Sequence, residues 1–235
     1  MLIVLLAGIA VCVRTLAVGH ETAWTPSLSK STARFLLRSL TMTMGLGAWF
    51  VSQSLVGARE CRNGAIGDAV HEWTSPLHGW LLRHPRAANA QLIASSGFID
   101  LFGLFLLGAA LVGPTLRPWI GLLLLFGFRQ LSQLTCALPP PPAMIWRHPG
   151  FPSLLVTYHV ANDFFFSGHT AIAVLGAIEI AKTAPPWMAV VGALTVGFEA
   201  ATVLVLRSHY TMDVLTAIVA AFCAAGLAAT LTAGF

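Results

Sequence analysis

Apolar residues run through this chain in long blocks separated by short polar breaks. Blocks at roughly 35–57, 91–113, 116–138, 164–184, 187–206 and 212–233 are each near membrane-spanning length. At about 1.5 Å of rise per residue, a helix of roughly 20 residues covers the roughly 30 Å hydrocarbon core of a bilayer. Each block is predicted as one crossing, which makes the chain an all-α, polytopic membrane helix bundle of about six core transmembrane helices. Residues 1–19 are apolar apart from Arg14 and lack both the basic start and the small-residue cleavage site of a signal peptide. An extra retained amino-terminal helix is expected there. The division is therefore 1–34 as apolar helix and polar loop, and 35–235 as one integral-membrane domain.

The breaks carry their own signals. Gly113-Pro114 and the run Thr183-Ala184-Pro185-Pro186-Trp187 turn the chain tightly. Between Ala58 and Ala90 the sequence turns polar, yet Ala69, Val70, Trp73, Leu77, Trp80 and Leu81 recur at three- and four-residue steps. That period predicts an amphipathic helix lying on the membrane, interrupted or restarted at Pro76. His71, Glu72 and His78 fall on its other faces and, lacking companion ligands, read as solvated residues and not as a metal site. Counting crossings from 35–57 puts loops 58–90, 139–163 and 207–211 on one membrane face, and 114–115 and 184–186 on the other.

Composition narrows the class. At 57% hydrophobic and 9% charged residues, the chain is excluded as a soluble globule. Its 13 Lys and Arg against 9 Asp and Glu give a net charge of +4. The basic residues are scattered between apolar segments, which suits lipid phosphate and interface anchoring and excludes nucleic acid as a partner. Cys12, Cys61, Cys136 and Cys223 show no paired spacing, so neither a zinc site nor a disulfide framework is expected. Lys30, Arg34, Arg117 and Lys182 flank the face with the short connections, which the positive-inside rule makes cytoplasmic. The long-loop face is then external or lumenal.

The chemistry lies on that long-loop face. The stretch from Asn162 to Thr170 and the stretch from His209 to Asp213 flank one hydrophobic hairpin, which returns both to the same side. His209 and Asp213 are one helical turn apart and share a helix face. A carboxylate there can take the proton on one ring nitrogen and leave the other as a nucleophile. His169 faces it as a candidate acid. A single interfacial histidine is usually just an amphipathic helix end, but Ser167-Gly168-His169 paired with His209-x-x-x-Asp213 is a more specific pattern. Arg129 lies inside the 116–138 block, where a guanidinium needs an anion, and its fork suits a lipid phosphate. Arg207 is a second such candidate. Asp163 reads either as an attractor for a choline charge or as a helix cap. Trp146, Phe151 and Tyr158 supply either part of a cage for a quaternary ammonium or an aromatic belt at the headgroups. Glu179 is expected to pair with Lys182, and Asp100 and Glu199 to face other helices or a watery cavity.

These residues also resemble a known family. Ser167-Gly168-His169 and His209 to Asp213 look like the second and third motifs of the lipid phosphatase and phosphotransferase superfamily that includes type 2 phosphatidic acid phosphatases. Asp163 to Thr170 resembles the corresponding run of sphingomyelin synthases. Arg207-Ser208-His209-Tyr210-Thr211-Met212-Asp213 is closer to that of plant phosphatidylcholine:diacylglycerol cholinephosphotransferases, and Arg129 to Leu138-Pro139 is similar to a stretch those enzymes carry. Val203 stands where the soluble-headgroup phosphatases place an arginine, and their first-motif lysine is absent, so the resemblance leans to the transferase branch. It implies catalytic His169, His209 and Asp213, with Arg129, Arg207, Ser167, Gly168, Asp163 and Tyr210 binding substrate, without metal or cofactor. A phosphocholine-type headgroup would pass from a phospholipid donor to a lipid-alcohol acceptor, diacylglycerol or ceramide, through a phosphohistidine. Two readings stay open beside it: a lipid phosphatase or phospholipase C-like hydrolase, and a non-catalytic lipid-binding or transport protein.

Overall fold

The computed structural model describes residues 30–57, 66–158 and 164–233. The helix expected over 1–19, Cys12, Cys61 and the candidate Asp163 all lie outside the described residues. Within them the chain forms eight helices and no strand: α1 (Lys30–Gly57), α2 (Ala69–Trp73), α3 (Ser75–Arg83), α4 (Pro85–Val112), α5 (Arg117–Thr135), α6 (Gly168–Thr183), α7 (Pro186–Val205) and α8 (Thr211–Thr232).

Proline and small polar residues set the boundaries. Pro85 and Pro186 open α4 and α7, where a missing N–H is no loss and a fixed φ favours the first turn. Residues 85–90, expected in the polar loop, are consequently the first turns of α4. Pro76 restarts the surface helix as α3, as its position near the helix start allows. Ser167 caps α6, its Oγ accepting the Thr170 N–H at 3.3 Å.

Helix α6 is the central post, packed against α4, α5, α7 and α8. Ala171, Ile172, Ala173, Val174 and Leu175 are all buried in succession, so it is apolar all round because neighbours surround it. Gly176 lets the Phe102 ring of α4 lie directly on α6, at a distance no Cβ would permit. Helix α1 is peripheral, resting on α5 and α4.

The polarity is that of a molecule in lipid. Leu101, Val112, Leu194, Val219 and Phe222 face outward, whereas Gln130, Gln133, Glu179, Glu199 and Asp213 are buried. Helices α4, α7 and α8 are long and apolar enough to cross a membrane. The expected six crossings are not all matched on that basis among the described residues. Helix α6 has 16 residues, about 24 Å of rise. Serine, threonine and glycine dilute α1, and Arg129, Gln130 and Gln133 dilute α5.

The interior carboxylates have partners. Glu179 bonds Lys182 at 3.2 Å and accepts two further bonds from Arg117 at 2.8 and 3.0 Å. Glu199 on α7 accepts from Ser95 on α4 at 2.6 Å. Asp100 accepts the N–H groups of Leu154 and Leu155, both at 2.9 Å, and so pins the loop before α6 against α4.

Candidate active site

Two short turns, each with an unfavourable backbone, bring the site together. Phe166, just before Ser167, has φ of 81°, and Arg207, just before Ser208-His209, has φ of 55°. Bulky side chains rarely adopt positive φ, so the surrounding packing must hold both turns in place. The turns are tied to each other: the Ser167 N–H donates to the Asp213 carbonyl at 3.2 Å.

His209 is oriented by two acceptors. Its Nδ1 lies 2.8 Å from the Phe164 carbonyl oxygen and 3.5 Å from Asp213 Oδ2. A carbonyl can only accept, so Nδ1 carries a proton, and on the neutral ring the lone pair is the one on Nε2. Asp213 is fully buried, and its Oδ2 also accepts the Tyr210 N–H at 2.8 Å, closing the first turn of α8. The carboxylate thus holds the backbone around His209 and places a negative charge behind its ring.

His209 and His169 line one cavity together with Arg129, Gly168, Trp146 and Trp49. Its volume of about 70 Å³ is several times the roughly 10–15 Å³ that one water needs. A phosphate-sized group fits. The His169 ring meets Trp146 edge-on at 5.2 Å, and its Nε2 has no hydrogen-bond partner. Arg129 reaches from α5 and donates to Gln53 Oε1 on α1 at 2.7 Å. Its guanidinium passes 3.5 Å from where a Cβ on Gly168 would sit. The cation thus lies against the amino terminus of α6, where N–H groups and the helix dipole also favour an anion.

The other sequence candidates sit behind the cavity. Arg207 donates to the carbonyls of Pro142 and His71, both at 3.3 Å, and does not line it. Tyr210 is buried and stacks on the His71 ring at 5.6 Å. Ser167 is occupied as the α6 cap.

The surface helices supply a part that sequence reasoning missed. His71 and His78, expected to be solvated, are buried. His71 Nε2 contacts the His209 carbonyl at 2.9 Å, and His78 Nδ1 contacts the Val205 carbonyl at 2.8 Å. Burial holds His78 below its ordinary value, which keeps the ring neutral in that contact. Trp73, Leu77 and Trp80 face outward instead. The amphipathic pattern was legible, but of its apolar stripe only Leu81 is buried, while Trp73, Leu77 and Trp80 face away from the protein, as on a helix in a lipid interface. Asp68 clamps the start of α8, accepting from Thr211 N at 2.6 Å and Thr211 Oγ1 at 2.8 Å. Partial burial of Asp68 opposes its charge, but the bonds from Thr211 and the His71 N–H outweigh that and hold its carboxyl below the usual 3.8.

Fold and site together define a helical membrane protein with two histidines and a guanidinium facing one cavity. The AtPDCT1/2 family model matches residues 67–230, well over half of the chain, and the chain belongs to that family, the phosphatidylcholine:diacylglycerol cholinephosphotransferases. Membership suggests a lipid enzyme that transfers phosphocholine. The match contains both histidine motifs, Arg129 and Asp68, and leaves out α1 with Trp49 and Gln53. No curated protein and no solved structure matches the chain.

Proposed function

We propose that this protein moves phosphocholine from a phospholipid such as phosphatidylcholine to a lipid alcohol, diacylglycerol or ceramide, by two displacements at one histidine. His209 Nε2 attacks phosphorus, and the bond from phosphorus to the departing diacylglycerol oxygen breaks. His169, across the cavity, gives that oxygen its proton. The acceptor hydroxyl then attacks the phosphohistidine, the P–N bond breaks, and His169 takes the hydroxyl proton. Arg129 and the α6 amino terminus hold the non-bridging oxygens as charge shifts. Asp213 stabilises the positive charge on the His209 ring, while the Phe164 carbonyl fixes its tautomer. Arg207, Ser167 and Tyr210 act on this reading by shaping the turns, and Asp163 by attracting the choline charge. Helices α1 and α4 to α8 form the six-helix membrane core, with the site opening to the external or lumenal face.

The observation that carries this reading is the free Nε2 of His209, fixed by the Nδ1 contact to Phe164, in a cavity shared with His169 and Arg129. The test offers purified protein phosphatidylcholine labelled in its choline phosphate, with diacylglycerol or ceramide supplied separately. Label in one acceptor's product is expected, and His209→Ala or His169→Ala abolishes it. Free phosphocholine as the main product would make the protein a hydrolase. Labelled lipid moved across a membrane without chemical change would make it a transporter.

A further inference from the structure

A second cavity adjoins the first. It lies between α1, α4 and α5 and shares Trp49, Phe126, Leu155 and Ile172 with the cavity that holds the histidines. Past that junction its walls are Leu46, Leu107, Trp119 and Leu123, so it is polar only near Ser52 and Gln130. From Arg129 to Trp119 along α5 the two cavities extend about 15 Å, at about 1.5 Å per residue. Gly45 and Gly103 let two wall side chains, Trp119 and Leu155, pack directly against α1 and α4. A Cβ on Gly45 would run into the Trp119 ring, and one on Gly103 into the Leu155 side chain. Leu155 is itself held in place by the Asp100 bonds to its loop.

We infer that this groove binds an acyl chain of the glycerophospholipid whose phosphate occupies the histidine cavity, an inference that rests on the proposed phosphotransfer. In such a lipid a charged phosphate, a pair of ester carbonyls and an apolar chain follow in that order. The protein offers a guanidinium with histidines, then Trp49, then an apolar channel, in the same order. Trp49 lines both cavities, and its buried indole N–H has no hydrogen-bond partner. A buried tryptophan N–H ordinarily finds an acceptor, and an ester carbonyl at the junction supplies one. Bilayer chains are as apolar as the groove, so moving a chain into it gains little hydrophobic free energy. The groove therefore sets the position of the phosphorus and the preferred chain length more than the affinity.

The direct test uses wild-type protein in detergent micelles with phosphatidylcholine carrying a photoactivatable diazirine near the end of one acyl chain, and maps adducts by peptide mass spectrometry. Adducts on Leu46, Leu107 or Leu123 that excess unlabelled phosphatidylcholine suppresses are expected. Adducts confined to outward residues such as Leu101, Leu194 and Val219, or not suppressed, overturn the inference. This readout needs no turnover, so competed groove adducts without transfer would leave the groove standing and reject the phosphotransfer. Transfer with outward adducts alone would do the opposite. In a second measurement, Leu123→Trp plugs the groove. Its kcat/KM for a long-chain donor should fall about tenfold with a dioctanoyl donor largely spared. Equal retention of both would count against the groove, and equal loss would be ascribed to misfolding, leaving the wild-type adducts to decide.

Discussion

Replacing Asp213 with asparagine isolates the charge behind the proposed nucleophile. The carboxylate lies 3.5 Å from His209 Nδ1. At an effective dielectric of about 20, a full positive charge on the ring would be stabilised there by about 5 kcal/mol. Roughly half that charge has developed when the new bond to phosphorus is partly formed, so the transition state loses about 2 to 5 kcal/mol. At about 1.4 kcal/mol per decade, kcat should fall roughly 30- to 4000-fold. Two features keep the loss electrostatic. The Phe164 carbonyl at 2.8 Å still holds the Nδ1 proton, so the tautomer survives. Asparagine Oδ1 can still accept the Tyr210 N–H, now made by the carboxylate at 2.8 Å, so the first turn of α8 survives as well. Initial rates of label transfer from phosphatidylcholine, beside a thermal unfolding curve, read both effects. A folded variant within about threefold of wild type would refute a charged His209 in the transition state.

Arg129→Lys keeps a cation but loses the fork, and kcat/KM should fall about 10- to 100-fold, matching the roughly 1.5–3 kcal/mol of a charge-assisted hydrogen bond; unchanged kinetics would remove Arg129 from the phosphate site. Asp68→Asn should lower the melting temperature near neutral pH, with the gap closing in acid. The Asp68 carboxyl lies below its unfolded value of 3.8 in the folded protein, so its stabilisation is present above that value and lost as pH falls through the folded pKa. A gap constant from pH 7 to pH 2 would show that its charge is immaterial. Arg117→Met leaves Glu179 with Lys182 alone and should destabilise by roughly 2 kcal/mol. That is less than the roughly 3–5 of a fully buried pair, because Arg117 is 25% exposed. Its transfer rate at a permissive temperature should hold, since Arg117 and Arg129 are about 18 Å apart along α5, and an unchanged melting temperature would contradict the pairing.

Much of the architecture was legible because apolar blocks and prolines report directly on helices and turns. All six apolar blocks carry a helix, and Pro76, Pro85 and Pro186 mark helix starts. Convergence of the two histidine motifs followed from the length of one hairpin. The orientation of the surface helices was not legible. Their period shows an apolar stripe, but only the partner decides which stripe turns inward, and here the turn before α8 and the end of α7 offer carbonyls to His71 and His78 while Trp73, Leu77 and Trp80 are left outside. The depth of Glu179 was also hidden, since its Arg117 partner is remote in sequence and only the bundle brings them together.

What the motif could not convey is how the site is held, because most of its holders are main-chain atoms. The carbonyls of Phe164, His209, Val205, His71 and Pro142 each accept a side-chain contact around the cavity. A carbonyl has no residue identity, so no spacing of residue types reveals it. They are available because helices end there, as at His71 and Val205, or because the chain leaves helical geometry in turns around Ala143, Phe166 and Arg207, all with positive φ. Inside a helix the same oxygens would be occupied by N–H groups four residues on. The backbone strain at these turns and the orientation of His209 therefore have a common origin. Breaking the helices exposes acceptors, and the acceptors then fix the ring with its lone pair toward the cavity. Copying the two histidines, the aspartate and the arginine onto another helical hairpin would reproduce the residue types without the turns that aim them.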